Sequence, residues 1–304
     1  MNTDSIRKYL EEHLSEKRRT HIEGVRSTAV RLSEIFGEDP KKAEICALFH
    51  DMFKERDLDD LVRKYHLPDK YLGNRNLAHS KVASAVMRSE YGITDEDMLN
   101  AVSFHTTGRP GMSKLEQILF LADATEPNRQ DYPGLKEIRE ASLKDLDLAC
   151  YLCLKRSVEY VREKGGEVDK DSVLAEEYYK KQLKEKEMES KTVALEAAKA
   201  LDKKLGQNIL VIDVAGKSSF ADYLVICGAG SERQAESLAD EVEEHLADMG
   251  ELVRGKEGRG SSGWILIDYG DVVVNVFTKE AREKYKIEEI WGDCEQVPFN
   301  GVED

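Results

Sequence analysis

The sequence predicts a two-domain protein, an all-α helical bundle followed by a small α/β domain with a mixed sheet. Three observations predict it. The chain has 304 residues, enough for about two domains. Over residues 5–183 the apolar positions recur three and four apart, as in Val25, Ala29, Leu32, Ile35 and Phe36, and no strand pattern appears. Beyond about residue 190, β-branched runs alternate with helical stretches. The predicted boundaries are 1–185 for the bundle, 190–292 for the α/β domain and 293–304 for a loose acidic tail.

Turn chemistry divides the bundle into its helices. The breaks fall at Gly37-Glu38-Asp39-Pro40, Leu67-Pro68-Asp69, Gly73-Asn74, Gly108-Arg109-Pro110-Gly111, Tyr132-Pro133-Gly134 and Gly165-Gly166. The alternating charges of Lys184-Glu185-Lys186-Glu187-Met188-Glu189 offer no core face, so this stretch is predicted to be a solvated helix end or linker. In the second domain, 193–205 is predicted helical, and 208–214 and 221–227 are predicted strands. A long amphipathic helix is expected over 232–249. A hairpin is expected over 264–269 and 272–277, turning at Gly270-Asp271, with a short helix at 279–286.

Composition narrows the classes. The chain is 40% hydrophobic and 35% charged, as expected of a soluble globular protein. No apolar run reaches the ~18–20 residues of a membrane span, and the first residues lack a signal-peptide core. The expected location is therefore cytoplasmic. Five dispersed cysteines argue against a disulfide framework, and Cys150-x-x-Cys153 is expected to be a pair of core thiols. The net charge of −15 disfavours a broad grip on nucleic acid. Residues 191–304 hold 13 Lys+Arg and 23 Asp+Glu, so −10 of the excess lies there. A basic protein partner suits this second part, and an anionic small substrate suits the first.

The residues that carry chemistry in the first domain are His and Asp. His50-Asp51 closes the apolar run Ala43-Glu44-Ile45-Cys46-Ala47-Leu48-Phe49, with His21 upstream and His79, His105 and Asp123 downstream. Imidazole nitrogen and carboxylate oxygen are both first-row metal ligands. Ligands from five separate segments can converge where one helix face offers few. His13, His66 and His245 fit no such series and are expected to face solvent.

The series His21, His50-Asp51, His79, His105, Asp123 resembles the HD-domain phosphohydrolases. Two longer words, His105-Thr106-Thr107-Gly108-Arg109-Pro110-Gly111-Met112-Ser113 and Leu121-Ala122-Asp123-Ala124-Thr125-Glu126-Pro127-Asn128-Arg129, resemble the branch of symmetrical diadenosine tetraphosphate hydrolases (YqeK-type). The resemblance implies two metal ions, iron by preference with Mn or Zn as alternatives. His21, His50 and Asp123 would complete one ion, His79 and His105 the other, with Asp51 bridging. It implies cleavage of a dinucleoside polyphosphate to two nucleoside diphosphates, with Asp51 in a catalytic role. Lys54 is the second catalytic candidate, because it lies three residues after Asp51 and shares its face if the helix continues. Lys54, Thr106, Arg109 and Arg129 are candidate substrate contacts, because ammonium and guanidinium groups match phosphate oxygens. Two alternatives stay open: another nucleotide substrate (a nucleoside monophosphate or a guanosine alarmone), or a non-catalytic nucleotide sensor.

Two signals in the second domain fail on inspection. Gly216-Lys217-Ser218 lacks the upstream glycine of a phosphate-binding loop, since Val211 stands there. Gly228-Ala229-Gly230 lacks a third glycine, because Arg233 stands there, and is expected to be a tight strand-to-helix turn. The words Ser219-Phe220-Ala221-Asp222-Tyr223-Leu224-Val225-Ile226 and Gly263-Trp264-Ile265-Leu266-Ile267-Asp268-Tyr269-Gly270-Asp271 instead resemble the ribosomal silencing factors. That resemblance implies binding of the large ribosomal subunit through ribosomal protein L-fourteen, which blocks subunit joining and represses translation. Tyr223, Trp264, Tyr269 and Arg282 are the candidate contacts, being residue types that carry interface energy. Asn275 departs from the family, which usually has His there.

Overall fold

A computed structural model of the chain describes residues 3–299 and divides it into two units, Met1–Leu183 and Lys184–Asp304. Each is helical or mixed as the sequence predicts.

The first unit is built from α1 (Asp4–His13), α2 (Glu16–Phe36), α3 (Pro40–His50), α4 (Asp59–Lys64), α5 (Arg75–Ser89), α6 (Glu96–Phe104), α7 (Lys114–Thr125), α8 (Leu135–Ala141) and α9 (Leu146–Glu163). Local chemistry sets their ends. Ser15, Asn74, Asp95 and Asp145 accept backbone N–H groups at the starts of α2, α5, α6 and α9. Ser113 and Glu116 form a reciprocal capping box on α7. Pro40 opens α3 behind the Asp39 cap, and Gly37 closes α2 at φ +69°.

Helix α2 packs on α3 and α7, α5 on α6, and α7 on α9. Val25, Ala29, Leu32, Cys46, Leu115, Ile118 and Leu121 are at most 2% exposed. Each large aliphatic side chain so buried contributes roughly 1.5–3 kcal/mol. Helix α3 ends at His50, and Asp51 is its C-cap. The expectation that Lys54 shares a continuing helix face with Asp51 is therefore corrected. A turn carries the chain on, with Lys54 N–H donating to Asp51 O at 3.0 Å.

The charged run at 184–189 also needs correction. Helix α10 spans Lys170–Lys203 without a break. Lys and Glu are good helix formers and need no core face in a solvated stretch. The early part of α10 sends Ala175 and Tyr179 into the first core, and its later part sends Val193, Ala194, Ala197, Ala198 and Leu201 into the second.

The second unit is a six-stranded mixed sheet. Its strands are β1 (Gln207–Asp213), β2 (Tyr223–Ala229), β3 (Gly255–Arg259), β4 (Trp264–Asp268), β5 (Val272–Thr278) and β6 (Glu295–Gln296), in the order β3-β4-β5-β2-β1-β6. Among the described residues only β2 and β5 pair in parallel. Helices α11 (Glu232–Asp248), α12 (Lys279–Tyr285) and α13 (Ile287–Ile290) complete it. Side chains alternate between the faces. Tyr223, Val225 and Cys227 join one core with α11, while Leu224 and Ile226 join the other with Phe277.

The hairpin forms as predicted, with Asp268 opposite Val273 and Gly270 at φ +94°. Strands β3 and β6 were not predicted. Glu295 pairs with Asp213, and Val297 is buried at 7%, so the expected loose tail is in part a sheet edge. Its last residues, 300–304, lie outside the described residues. Among the described residues, no helix is long and apolar enough to cross a membrane.

Candidate metal centre

The six predicted ligands converge at the junction of α2, α3, α5, α6 and α7. His50 and Asp51 arrive together because α3 ends between them. His21 comes from the first part of α2, His79 from α5, His105 from the end of α6 and Asp123 from α7. His21 Nε2 lies 3.1 Å from Asp123 Oδ1, 3.6 Å from Asp51 Oδ2 and 3.4 Å from His50 Nε2. Across Asp51, His79 Nε2 lies 3.1 Å from Oδ1 and 3.1 Å from His105 Nε2. Two ligand groups result, His21-His50-Asp51 and Asp51-His79-His105, and they share Asp51.

The proton positions argue that this cluster fits cations. His50 Nδ1 donates to Ala47 O at 2.6 Å, His105 Nδ1 to Val102 O at 2.8 Å and His79 Nδ1 to Arg75 O at 3.2 Å. A carbonyl only accepts, so each of these rings carries its proton on Nδ1 and turns a lone pair on Nε2 inward. Lone pairs and carboxylate oxygens within 3–4 Å of one another repel unless a cation sits among them.

Electrostatics agree. Burial pushes the His50 imidazole down to about 3 and that of His79 down to about 4, so both are neutral at pH 7, the form able to ligate a metal. His21 is the exception. Burial alone would lower its pKa, but its hydrogen bond to Asp123 and the nearby carboxylates outweigh that and raise it. Burial would raise the Asp123 carboxyl, but His21 and Arg129 hold it well below the ordinary range.

Other predicted residues divide. Lys54 Nζ lies 3.4 Å from the His79 ring nitrogens, and burial lowers its pKa. Thr106 Oγ1 lies 3.2 Å from His105 Nε2 and caps no helix. Arg129 stands 3.9 Å from Asp123. Arg109 is brought elsewhere. Its guanidinium donates in a two-pronged pair to the buried carboxylate of Glu116, which leaves it committed to the loop before α7.

Three further residues belong to the centre and were missed. Arg18 ion-pairs with Asp51 Oδ2. Glu126 Oε1 lies 3.2 Å from His21 Nδ1 and fixes that ring from behind. Gly24 leaves room for Glu126, since a Cβ there would stand 2.3 Å from its Oε2. The sequence signal was spacing: Arg18 and Gly24 flank His21 at three residues, and Glu126 follows Asp123 at three. Beside His21 a cleft of about 940 Å³ opens towards α9.

In the second unit the candidate contacts prove largely structural. Tyr223 is 2% exposed and Tyr269 6%, both within the aliphatic core. Trp264 is half-buried, stacks on Phe277 and donates from Nε1 to Asn275 Oδ1 at 3.1 Å. Arg282 donates to Glu288 and to the carbonyls of Gln207 and Asn208. Exposed aromatic surface lies instead at Phe220, 60% exposed, and Tyr285, 44%. Lys217 pairs with Asp293 in an exposed turn, and Ser231 caps α11 after the Gly228-Ala229-Gly230 turn. Cys150 and Cys153 are buried thiols, and burial raises both well out of the reactive range. His13 and His66 are exposed, while His245 is half-buried and 3.0 Å from Glu196.

Comparisons with known proteins agree with this division. Residues 18–128 match the HD domain family, and residues 187–304 match the family described as ribosomal silencing factor during starvation. The symmetrical bis(5'-nucleosyl)-tetraphosphatase of Bacillus subtilis is 37% identical over 178 residues, 57% of this chain and 95% of that protein. The ribosomal silencing factor RsfS of the same species is 40% identical over 107 residues, 35% of this chain and 91% of that protein. A crystal structure from Clostridium acetobutylicum, titled a predicted HD superfamily hydrolase involved in NAD metabolism, is 37% identical. It covers 60% of this chain and 98% of that one, with a TM-score of 0.56. The chain thus belongs to two families joined end to end, the HD-domain symmetrical bis(5'-nucleosyl)-tetraphosphatases through its first unit and the ribosomal silencing factors through its second.

Proposed function

We propose that the first unit hydrolyses diadenosine tetraphosphate, and related dinucleoside polyphosphates, to two nucleoside diphosphates at a binuclear metal centre. The observation that carries this is the division of Asp51: Oδ2 faces His21 and His50, and Oδ1 faces His79 and His105. In this reading His21, His50 and Asp123 would hold one ion, His79 and His105 would hold the other, and Asp51 would serve both. The ligands are all nitrogen or oxygen, which suits iron, manganese or zinc. Bound ions supply Lewis acidity that neutralises phosphoryl charge and makes water a usable nucleophile near pH 7.

The protein's own groups do the rest. We assign to Arg18, Lys54 and Arg129 the holding of phosphate oxygens around the reacting phosphorus. Their support is proximity to the cluster, with Arg18 and Lys54 half-buried and Arg129 exposed beside Asp123. Thr106 orients from the His105 side. Glu126 keeps His21 turned so that Nε2 faces the centre.

For the second unit we propose binding of the large ribosomal subunit through ribosomal protein L-fourteen, blocking subunit joining. Family membership and the acidic charge of this half support it. The contact surface in this reading includes Phe220 and Tyr285 rather than the buried tyrosines.

The test of the first reading is metal content. Anaerobically purified protein is expected to carry about two ions per chain, and the double variant His79→Ala, His105→Ala about one. A wild-type content of one ion or fewer removes the binuclear centre. A panel with nucleoside monophosphates and guanosine alarmones, assayed on the same protein, separates the alternative substrates.

A further inference from the structure

Helix α7 carries Asp123 in its last turn and Glu126 just beyond its end, and no basic residue of its own stands in that turn. Two carboxylates at the negative end of a helix oppose its dipole, and the last carbonyls there lack helical N–H partners. Glu126 N–H still reaches Ala122 O at 3.1 Å, but the residue has left the helix at ψ 152°, and the following Pro127 brings no N–H. The ladder of α7 thus holds Glu126 by its N–H and leaves its carbonyl, which sets the direction of the chain, to be fixed from elsewhere.

Arg139 of α8 supplies the cation that α7 lacks. Its guanidinium donates from Nε to Thr125 O at 2.9 Å and from Nη2 to Glu126 O at 2.8 Å. The Tyr132 hydroxyl donates to Ala124 O at 3.1 Å, so side-chain donors meet three successive carbonyls. Arg129 N–H donates to the same Glu126 O at 3.1 Å, which holds that carbonyl from two directions. A planar fork can span two neighbouring carbonyls where an ammonium, a point charge, cannot. Helix α8 keeps the fork in place because Leu135, Ile138 and Ala141 bury its other side.

We propose that Arg139 is a positioning residue for the metal centre: its clasp on the Thr125 and Glu126 carbonyls sets the Glu126 carboxylate behind His21. This rests on the reading above for the ion that His21, His50 and Asp123 would hold. From the clasped backbone, Glu126 places Oε1 3.2 Å from His21 Nδ1, while Oε2 accepts the Asn128 N–H at 2.6 Å. His21 Nε2 is thereby turned towards Asp51 and Asp123. His79 and His105 take their orientation elsewhere, from Arg75 O and Val102 O. Arg139 therefore acts on one ligand group of the two.

Manganese titrated into the metal-free full chain tests this without turnover, with a thermal melt of each variant beside it. Wild type is expected to bind in two steps. Arg139→Ala should weaken one step about tenfold, the scale of a displaced outer partner, and the other by about twofold or less. The weakened step should be the one that His21→Ala abolishes. A helix cap with no positioning role would lower the melt and weaken both steps alike. In a Glu126→Gln chain, Arg139→Ala should cost about twofold or less, because the carboxylate it positions is already gone. Arg139→Lys keeps the charge at the end of α7, and with it the fold, but spans one carbonyl; it should still weaken the same step about threefold. Unchanged affinity in Arg139→Ala, equal losses in both steps, or a full tenfold loss in the Glu126→Gln chain overturns the positioning role. If wild type binds a single ion, the binuclear reading fails, and the positioning role stands only if Arg139→Ala weakens that ion tenfold. If wild type cleaves no dinucleoside tetraphosphate while Arg139→Ala weakens its step, the substrate reading fails and the positioning role stands.

Discussion

Gly24→Ala probes the support of the metal centre without touching a ligand. Position 24 is inside α2 and buried, with helical backbone, so alanine by itself gains ~1 kcal/mol of helix propensity. The new Cβ, however, would stand 2.3 Å from Glu126 Oε2 and 3.1 Å from Glu126 Cδ. That carboxylate cannot swing away freely. Oε1 faces His21 Nδ1 at 3.2 Å, and Oε2 accepts the Asn128 N–H at 2.6 Å. Moving it breaks at least one charge-assisted hydrogen bond, a loss of ~1.5–3 kcal/mol. The metal-free protein should therefore lose about 1–2 kcal/mol in a denaturant melt. The larger effect falls on His21, whose ring loses its orienting carboxylate. Displaced partners of this kind cost roughly 10–100-fold in metal affinity. The assay is competition against a chelator, with Glu126→Asp as a second variant and the double variant as a cycle. The shorter Asp leaves room for the methyl, so the double variant should bind metal better than the two single losses predict together. Wild-type metal affinity in Gly24→Ala would refute the role given to Glu126.

Two further predictions follow from charge and packing. His50 and His79 have folded pKa values of about 3 and 4, below the ordinary 6.5, so between pH 6.5 and 4 the unfolded chain binds more protons than the folded one. Stability of metal-free protein therefore falls as pH drops below 6.5, by about 3–4 kcal/mol on reaching pH 5 at up to ~1.4 kcal/mol per unit for each His. His21, whose pKa is raised, acts above 6.5 instead and does not offset this; urea melts from pH 7 to 5 check it, and a flat profile contradicts it. In the second unit, Trp264→Ala leaves the buried Asn275 without its donor and removes a stack on Phe277, so the melt should show a loss of roughly 2–4 kcal/mol. Any loss of co-sedimentation with large ribosomal subunits by that variant should follow its unfolding, whereas Tyr285→Ala, which removes only a ring tilted against Trp264, should reduce co-sedimentation with a much smaller drop in melting temperature.

The cluster was legible because metal chemistry accepts few residue types, and His21, His50, Asp51, His79, His105 and Asp123, candidate ligands by type, do converge. Their supports were less so. Arg18 and Glu126 act through geometry that any charged residue near a ligand could supply, and only the folded helices select them. Arg109 misled because guanidinium suits a buried carboxylate as well as a phosphate, and Glu116 claims it. Tyr223 and Tyr269 misled for a similar reason, since a strand aromatic can face core or solvent and the inner face took both. Strand β3, Gly-Lys-Glu-Gly-Arg, has no strand propensity and exists through pairing with β4. The run at 184–189 lacks a core face, yet continues a helix anchored at both ends by apolar residues. A fragment for study of the second unit should begin at Lys184 or earlier, because Ser190 and Val193 are already buried.

The products formed from diadenosine tetraphosphate by the metal-loaded full chain test the proposed hydrolysis most directly. Chromatographic product analysis should find ADP alone, two per substrate consumed, and none formed by Asp51→Asn that retains its fold. AMP with ATP in equal amounts, or turnover that survives the loss of Asp51, would contradict it.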